Sequence, residues 1–533
     1  MNKEFRQESK KAMAIFLLLL SCLSYGQGGW MRKYDLGMPS SVICSILPDS
    51  NFYWISGIAV DTNQLPLVVS GSFVGRMDEV GNILSFKYIL KQDTSIGAWN
   101  KGLKKTNNDS LEVFCESRVF SEGVLIGGKL TYQISTDELN YKLLPVDTGL
   151  SFSYPKDFGK IGNNYHIVSA VTINNHGTTG NSLIRVRLSK FDSSFGELNR
   201  IQFNGQFDSL ARNVFCNLEL IDDSCILIGY NTFRIQNNPA LAKTILKKVD
   251  LQGNVLWTYE SPVSAKEGVI AHLHQNNDKS IVYAVNAFVD YPSPGAMSYL
   301  LRGRLVKIDT LGNRLWERDW GPAIPGDYPF QCMLVNEDES TIACGVGADF
   351  NYTDTIENGE QGYITKTSRD GDSLWVRHYV IRNQQYHWHN FMDIEATNDG
   401  GYILCGRSAI DGPVFPDEQF TAMAWVVKTD SMGCVVPGCH LVGVEEKTKQ
   451  RPKVMVYPNP AHDYLAVFVP ASTSNQALQV QLINLAGKVV LEDQFTQSDA
   501  TYLLELKNIS SGLYVLKVLQ NGDLLQAEKV VVE

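Results

Sequence analysis

The chain has 533 residues, with 44% apolar, 10% aromatic and 20% charged side chains, 43 glycines and 19 prolines. That length exceeds one ordinary domain, the apolar share supports a sizeable core, and the average Gly and Pro content excludes collagen-like and low-complexity chains. A formal charge of −10 disfavours nucleic acid or an anionic membrane as the main partner, since both reward basic surfaces.

Residues 1–26 read as a secretory signal peptide: Arg6, Lys10 and Lys11 precede an apolar run from Ala12 to Leu20, and Ser24 and Gly26 are small residues before a mature start at Gln27. The run is too short for a spanning helix of about 20 residues. A rival reading takes Leu19–Cys22 as a lipobox with Cys22 acylated, but Leu20 fits it poorly. No later segment approaches spanning length, so no integral membrane segment is expected after signal removal.

Self-similarity decides the next 400 or so residues, because a repeat sets the architecture. Lys247–Trp257 (KKVDLQGNVLW) returns as Val306–Trp316 and Thr365–Trp375, with weaker copies at Gly75–Asn82, Lys190–Gly196 and Lys428–Gly433. The turn glycines Gly81, Gly196, Gly253, Gly312, Gly371 and Gly433 recur every ~58 residues, except that the first interval is about double. A degenerate copy at Tyr132–Asn140 fills that gap and makes seven units.

A second phrase, typified by Met392–Gly406, places polar tips near Asn51, Asn108, Asn163, Asp223, Asn277, Asp338 and Asn398 between short β-rich runs, a hairpin signal. Four antiparallel strands repeated seven times predict an all-β chain whose residues 27–440 form a seven-bladed β-propeller. The last unit lacks its fourth strand, while Trp30–Tyr34 is stranded before the first unit and looks like Leu374–Tyr379. Trp30 and Tyr34 are therefore predicted to close the ring as the outermost strand of the last blade.

Asp250, Asp309 and Asp370, with Gly253, Gly312 and Gly371, are read as turn residues, and Trp257, Trp316 and Trp375 as packing between blades. The phrase resembles the Asp-box of sialidase-type propellers and the repeats of quinoprotein-type propellers. In both families these elements are structural, so the resemblance implies architecture and no activity.

Leu441–Lys453 is charged and lacks aromatics, a linker. Beyond it, short alternating strands predict a small Ig-like β-sandwich at 454–533. Val456–Leu465, Leu485–Val489, Ser511–Val515 and Lys529–Glu533 stand in the order of the type A C-terminal sorting domain of the Bacteroidota type IX secretion system, which this region resembles. The matching positions are Tyr457, Pro458, Asn459, Pro460, Gly487, Gly512, Tyr514 and Lys529. The resemblance implies the type IX machinery as partner, transport through the periplasm across the outer membrane, and release or surface attachment.

Export implies an oxidising compartment. Cys434 and Cys439 flank a short Pro/Gly turn and are expected to be joined; Cys332 and Cys344, either side of a polar turn, are a second candidate pair. Cys405 reads as a buried small hydrophobe.

Catalytic signals are weak. No His-Glu-x-x-His, Gly-x-Ser-x-Gly or phosphate-binding glycine motif is found, and no cofactor or metal is predicted. His272 with His274, and His387 with His389, would each present two imidazoles on one strand face, but a catalytic metal needs a third ligand. Asp157, Asp393 and Glu395 lie near predicted inner strands. The favoured function is a secreted or surface-displayed module that binds glycan or extracellular protein without chemistry, as the long loops at Tyr291–Gly295 and Gly412–Pro416 suggest. The alternative is a polysaccharide-acting hydrolase or lyase with its site at the channel mouth.

Overall fold

The computed structural model describes residue 29 to the C-terminus, apart from 440–454 and a set of loops of which the longest are 62–68, 174–182, 204–215, 290–299, 350–359, 381–388, 410–421 and 470–477. The signal peptide, Cys22, Gln27, the linker, His387 and both long loops named above lie outside the described residues. Chain contacts divide the protein into two compact units, Met1–His440 and Leu441–Glu533.

The first unit is a seven-bladed β-propeller. Its seven sheets follow one another along the chain, and each runs antiparallel from an innermost strand outward. The innermost strands are Ser40–Asp49, Thr94–Asn107, Leu150–Ile161, Cys216–Asp222, Val269–Gln275, Phe330–Val335 and His389–Ala396, which number blades 1 to 7. The sixth sheet carries an extra two-residue strand, Gly326–Asp327.

Sequence pattern follows position in the blade. Second strands are covered on both faces by neighbouring blades, so Cys225–Arg234 and Ile281–Val289 read as nearly continuous apolar runs. Fourth strands have one wet face, and Glu138–Leu143 alternates exposed and half-buried residues.

The ring closes as the repeat arithmetic requires. Trp30–Tyr34 pairs antiparallel with Ala422–Thr429, from Trp30 opposite Lys428 to Tyr34 opposite Ala424, completing the four-stranded seventh blade. Tyr34 then enters a core shared with blade 1, including Ile43, Phe73 and Met77.

The repeated turn explains its own composition. Asp250 Oδ1 accepts main-chain N–H groups from Gln252 and Asn254 at 3.0 and 2.8 Å, and Oδ2 accepts the Asn254 side-chain amide at 2.8 Å. Asp309 makes the same set with Leu311 and Asn313, and Asp78, Asp192 and Asp430 repeat its main-chain part. In blade 6 the reading of Asp370 is corrected: Ser368 holds the equivalent place, its hydroxyl accepting the Asp372 N–H at 3.0 Å, and Asp370 sits at the turn tip.

Five of the six turn glycines, Gly81, Gly253, Gly312, Gly371 and Gly433, have a left-handed φ, +94° at Gly253 and +92° at Gly371, and each of these is also a landing pad. In blade 3 the reading of Gly196 is corrected, since Phe195 takes the left-handed φ (+63°) and only Asp192 approaches Gly196. A Cβ on Gly371 would lie 2.8 Å from the Trp316 ring, on Gly433 2.9 Å from Trp375, and on Gly81 2.9 Å from Trp30. The outer strand of one blade thus docks on the turn of the next. In blade 4 the docking ring is Tyr259, 2.9 Å from the Gly312 position, while Trp257 lies beside Tyr259 with ring centroids 6.3 Å apart.

Cys434 is joined to Cys439 and Cys332 to Cys344, with Cα separations of 5.5 and 5.4 Å. Cys405 is buried and unpaired, as are Cys44, Cys115 and Cys216.

The second unit is a β-sandwich of a three-stranded sheet, with Tyr464–Val469 between Met455–Tyr457 and Ala500–Glu505, and a four-stranded sheet. Leu465, Val467, Leu482, Leu516 and Val530 fill its core. Asn459 clamps the C-terminal strand: Nδ2 donates to Lys529 O at 2.7 Å and Oδ1 accepts from Val531 N at 2.9 Å. Exposed Pro458 and Pro460 flank this clamp, and Tyr457 ends the strand before it. Gly487 takes φ +78° in a turn whose Asn484 Oδ1 accepts N–H groups from Ala486 and Lys488, the role Asp plays in the propeller turns. Gly512 opens the strand on which buried Tyr514 donates its hydroxyl to Ser510 O at 2.6 Å.

Candidate functional site

The seven innermost strands surround a central channel of about 880 Å³ to which every blade contributes. Its wall carries Lys101, Lys104, Lys105 and Glu116 from blade 2, Lys156 and Asp157 from blade 3, Asn217 and Glu219 from blade 4, His272 from blade 5, Gln331 from blade 6, and Asp393 with Glu395 from blade 7.

Asp157 and Asp393 first do structural work. Asp157 accepts N–H groups from Phe158 at 2.8 Å and from Leu218 of the next blade at 2.9 Å. Asp393 accepts from Ile394 at 2.8 Å and from Ile46 of blade 1 at 3.1 Å. Glu219 does the same toward Gln275 N at 2.8 Å, and Asn286 toward Phe330 N at 2.7 Å. Each polar side chain satisfies an inner-strand N–H that its own sheet leaves unpaired.

Blade 2 departs from the other blades. Ala98 pairs with Cys115 and Leu103 with Val113, so Trp99–Gly102 stand opposite the single residue Phe114. Gly102 is required there, because a Cβ would lie 2.9 Å from Phe114 O. Lys101 adopts φ +56°, and its Nζ reaches blade 6, donating to Met333 O at 2.7 Å, 4.0 Å from Asp393 Oδ1. Lys104 Nζ donates to Phe158 O at 2.5 Å, over the Phe158 ring, and Lys105 pairs with Asp49.

Burial sets the proton affinities along this wall. It pushes Asp393 up to about 8, against the pull of Lys101, and raises Glu395 on the same strand face. Asp157 is raised by burial, with Lys104 opposing, and Glu116 is raised likewise. Burial, then the Lys101 and His274 charges, hold His272 well below the usual imidazole range. Burial also lowers Lys104.

His272 and His274 face the same side of their strand, as expected, and the partner of His274 is a carboxylate on blade 4, its Nδ1 lying 2.6 Å from Glu219 Oε1. Of the second histidine pair only His389 is among the described residues. His389 is buried with its ring 4.9 Å from Trp425, edge-on. Among the described residues no group of three or more His, Cys, Asp or Glu is placed to hold a metal. The lysines were missed in the sequence, although Asn100-Lys-Gly-Leu-Lys-Lys105 carries a signal: a glycine inside a strand pattern marks a bulge.

With that geometry, residues 455–533 match the family described as the secretion system C-terminal sorting domain. The protein is thus a propeller module joined to a type IX sorting domain, which marks it as secreted or surface-exposed. Among the described residues no helix is long and apolar enough to cross a membrane.

A search of curated proteins finds no match. Among solved structures the chain is similar to an acylaminoacyl peptidase from Pyrococcus horikoshii, at 9% identity and TM-score 0.36, covering 84% of this chain and 60% of that one. It is similar to Trypanosoma rangeli sialidase in complex with the inhibitor DANA, at 7% identity and TM-score 0.37, covering 85% and 86%. It is also similar to the β-propeller domain of the Trilobed protease from Pyrococcus furiosus, at 9% identity and TM-score 0.34, covering 73% and 94%.

Proposed function

We propose that the secreted propeller acts on polysaccharide in its central channel, as a hydrolase or lyase. One observation carries this reading: the channel wall holds titratable groups whose environments push their proton affinities apart, with Glu395 raised and His272 lowered, beside His274 held at Nδ1 by Glu219. A carboxyl group whose proton affinity burial raises is suited to act as a general acid, and an imidazole oriented by a carboxylate as a general base. This reverses the order of the two readings in the sequence, where Glu219 was not visible as a partner of His274.

The mature protein should release reducing or unsaturated ends from at least one polymer in a polysaccharide panel. Glu395→Gln and His274→Gln should each lower that rate about 100-fold or more, with melting temperatures held. A non-catalytic binding module is the second reading, favoured because Asp157 and Asp393 are both engaged by main-chain N–H groups. Polymer binding without any end release would establish it and overturn the catalytic one.

A further inference from the structure

We infer that the channel receives an anionic polysaccharide, one bearing carboxylate or sulfate groups, through the ammonium groups of Lys101 and Lys104. This inference rests on the polysaccharide reading above and names its substrate class.

The chain carries a formal charge of −10, yet four lysines line one side of the channel, from blades 2 and 3. Lys101 is brought there by a special device. The inner-strand irregularities of blades 1, 3, 5, 6 and 7 skip one residue, at Ile43/Ser45, Pro155/Asp157, Ile270/His272, Phe330/Cys332 and Phe391/Asp393, whereas blade 2 sets four residues aside. Lys101 also holds φ +56°, which a side chain with a Cβ adopts only under constraint.

Both ammonium groups are pinned and only partly used. Each has three N–H donors and gives one to a main-chain carbonyl, Met333 O for Lys101 and Phe158 O for Lys104. A pinned stem has already lost its rotamer freedom, so an incoming anion meets preorganised donors. The two ammoniums also repel each other, and both repel protonation of His272. The neighbouring acids relieve this only in part: Asp157 and Asp393 each already accept two N–H groups, and burial favours their protonated forms. Asn217 Oδ1 and His272 Nδ1, both on the same wall, are buried polar atoms without a partner among the described residues. An acidic sugar supplies anion to the lysines and hydroxyls to these two atoms.

The mature full-length protein should be titrated calorimetrically with polygalacturonate, chondroitin sulfate, neutral dextran and duplex DNA. Binding of polygalacturonate or chondroitin sulfate is expected at about 50 mM salt, weakening at least tenfold at about 500 mM, with no binding of dextran. Polygalacturonate alone would assign carboxylate and chondroitin sulfate alone sulfate. Lys101→Met and Lys104→Met should each weaken binding about tenfold or more at unchanged melting temperature. If Lys101→Met fails to fold, Lys104→Met against the charge-conserving Lys104→Arg decides, with only the latter retaining binding. Lysines that merely hold the ring together would lower the melting temperature and leave binding unchanged, overturning the inference; so would equal binding of dextran or of DNA. Cleavage of a neutral polymer would defeat this inference and leave the catalytic reading standing, whereas salt-sensitive polyanion binding without cleavage would do the reverse.

Discussion

At the scale of single residues, the propeller spends charged side chains on its own main chain. Asp250 and Asp309 are half-buried at blade turns, and their hydrogen bonds to the Asn254 and Asn313 amides and to turn N–H groups hold their carboxyls below the usual range. Asp393 uses the same acceptor chemistry in a buried place, where desolvation wins and the carboxyl rises to about 8. The sign of its pH effect follows: the folded state holds the proton more tightly than the unfolded chain, so its contribution to stability is full near pH 4 and drains away as pH rises toward 8. His166, buried and held at about 4, works oppositely, losing stability as pH falls below 6.5. Between pH 6.5 and 8 the channel acids therefore act without that opposition, and the melting temperature should fall across this window. Asp393→Asn should remove most of that slope. It should also lower stability at pH 6.5 by about 1–3 kcal/mol, because the amide sets an N–H donor against a main-chain N–H. Thermal melts at several pH values check both, and an unchanged slope would locate the effect elsewhere.

At the scale of elements, stability is passed from blade to blade by outer-strand aromatics resting on turn glycines. The first strand makes the seventh blade part of this system: Trp30 Nε1 donates to Glu79 O and the Tyr34 hydroxyl to Gly81 O, both at 2.9 Å and both in blade 1. Burying Tyr34 and partly burying Trp30 contributes about 1–3 kcal/mol each, and each hydrogen bond about 1. Together these approach the whole stability of about 5–15 kcal/mol of an ordinary domain. Deleting residues 28–36 should therefore cause aggregation or a melting temperature lower by about 10 °C or more, read by differential scanning fluorimetry and size exclusion. An unchanged melt would mean the ring does not depend on this strand.

At the scale of the whole molecule, the chain divides into two compact units. The propeller completes its ring with residues up to Cys439, and the sorting match begins at residue 455. A chain ending at Val444 should fold and accumulate in the periplasm, while the full chain reaches the surface or medium, losing about 80–90 C-terminal residues on the way. Fractionation with C-terminal mass spectrometry tests this; equal export of the shortened chain would detach the sorting domain from export.

Much of this was written in local sequence. The Asp-x-x-Gly turns, the apolar second strands and the surplus Trp30–Tyr34 strand are short-range patterns, and their recurrence counted the blades because every blade solves the same packing problem. The Pro-Asn-Pro segment was equally legible as a motif, although its clamp on Lys529 and Val531 joins residues 70 and 72 positions apart and needed the fold. The channel was legible only in part: Asp157, Asp393 and Glu395 were placed near inner strands and do line it, but the groups they and their neighbours meet were not. His274 meets Glu219, and Lys101 meets Met333 and Asp393, only because closing the ring sets blades 4 and 5, and blades 2, 6 and 7, around one axis. Repeats report what the blades share, whereas a site is made from what differs between them, and only the tertiary structure decides which differences meet.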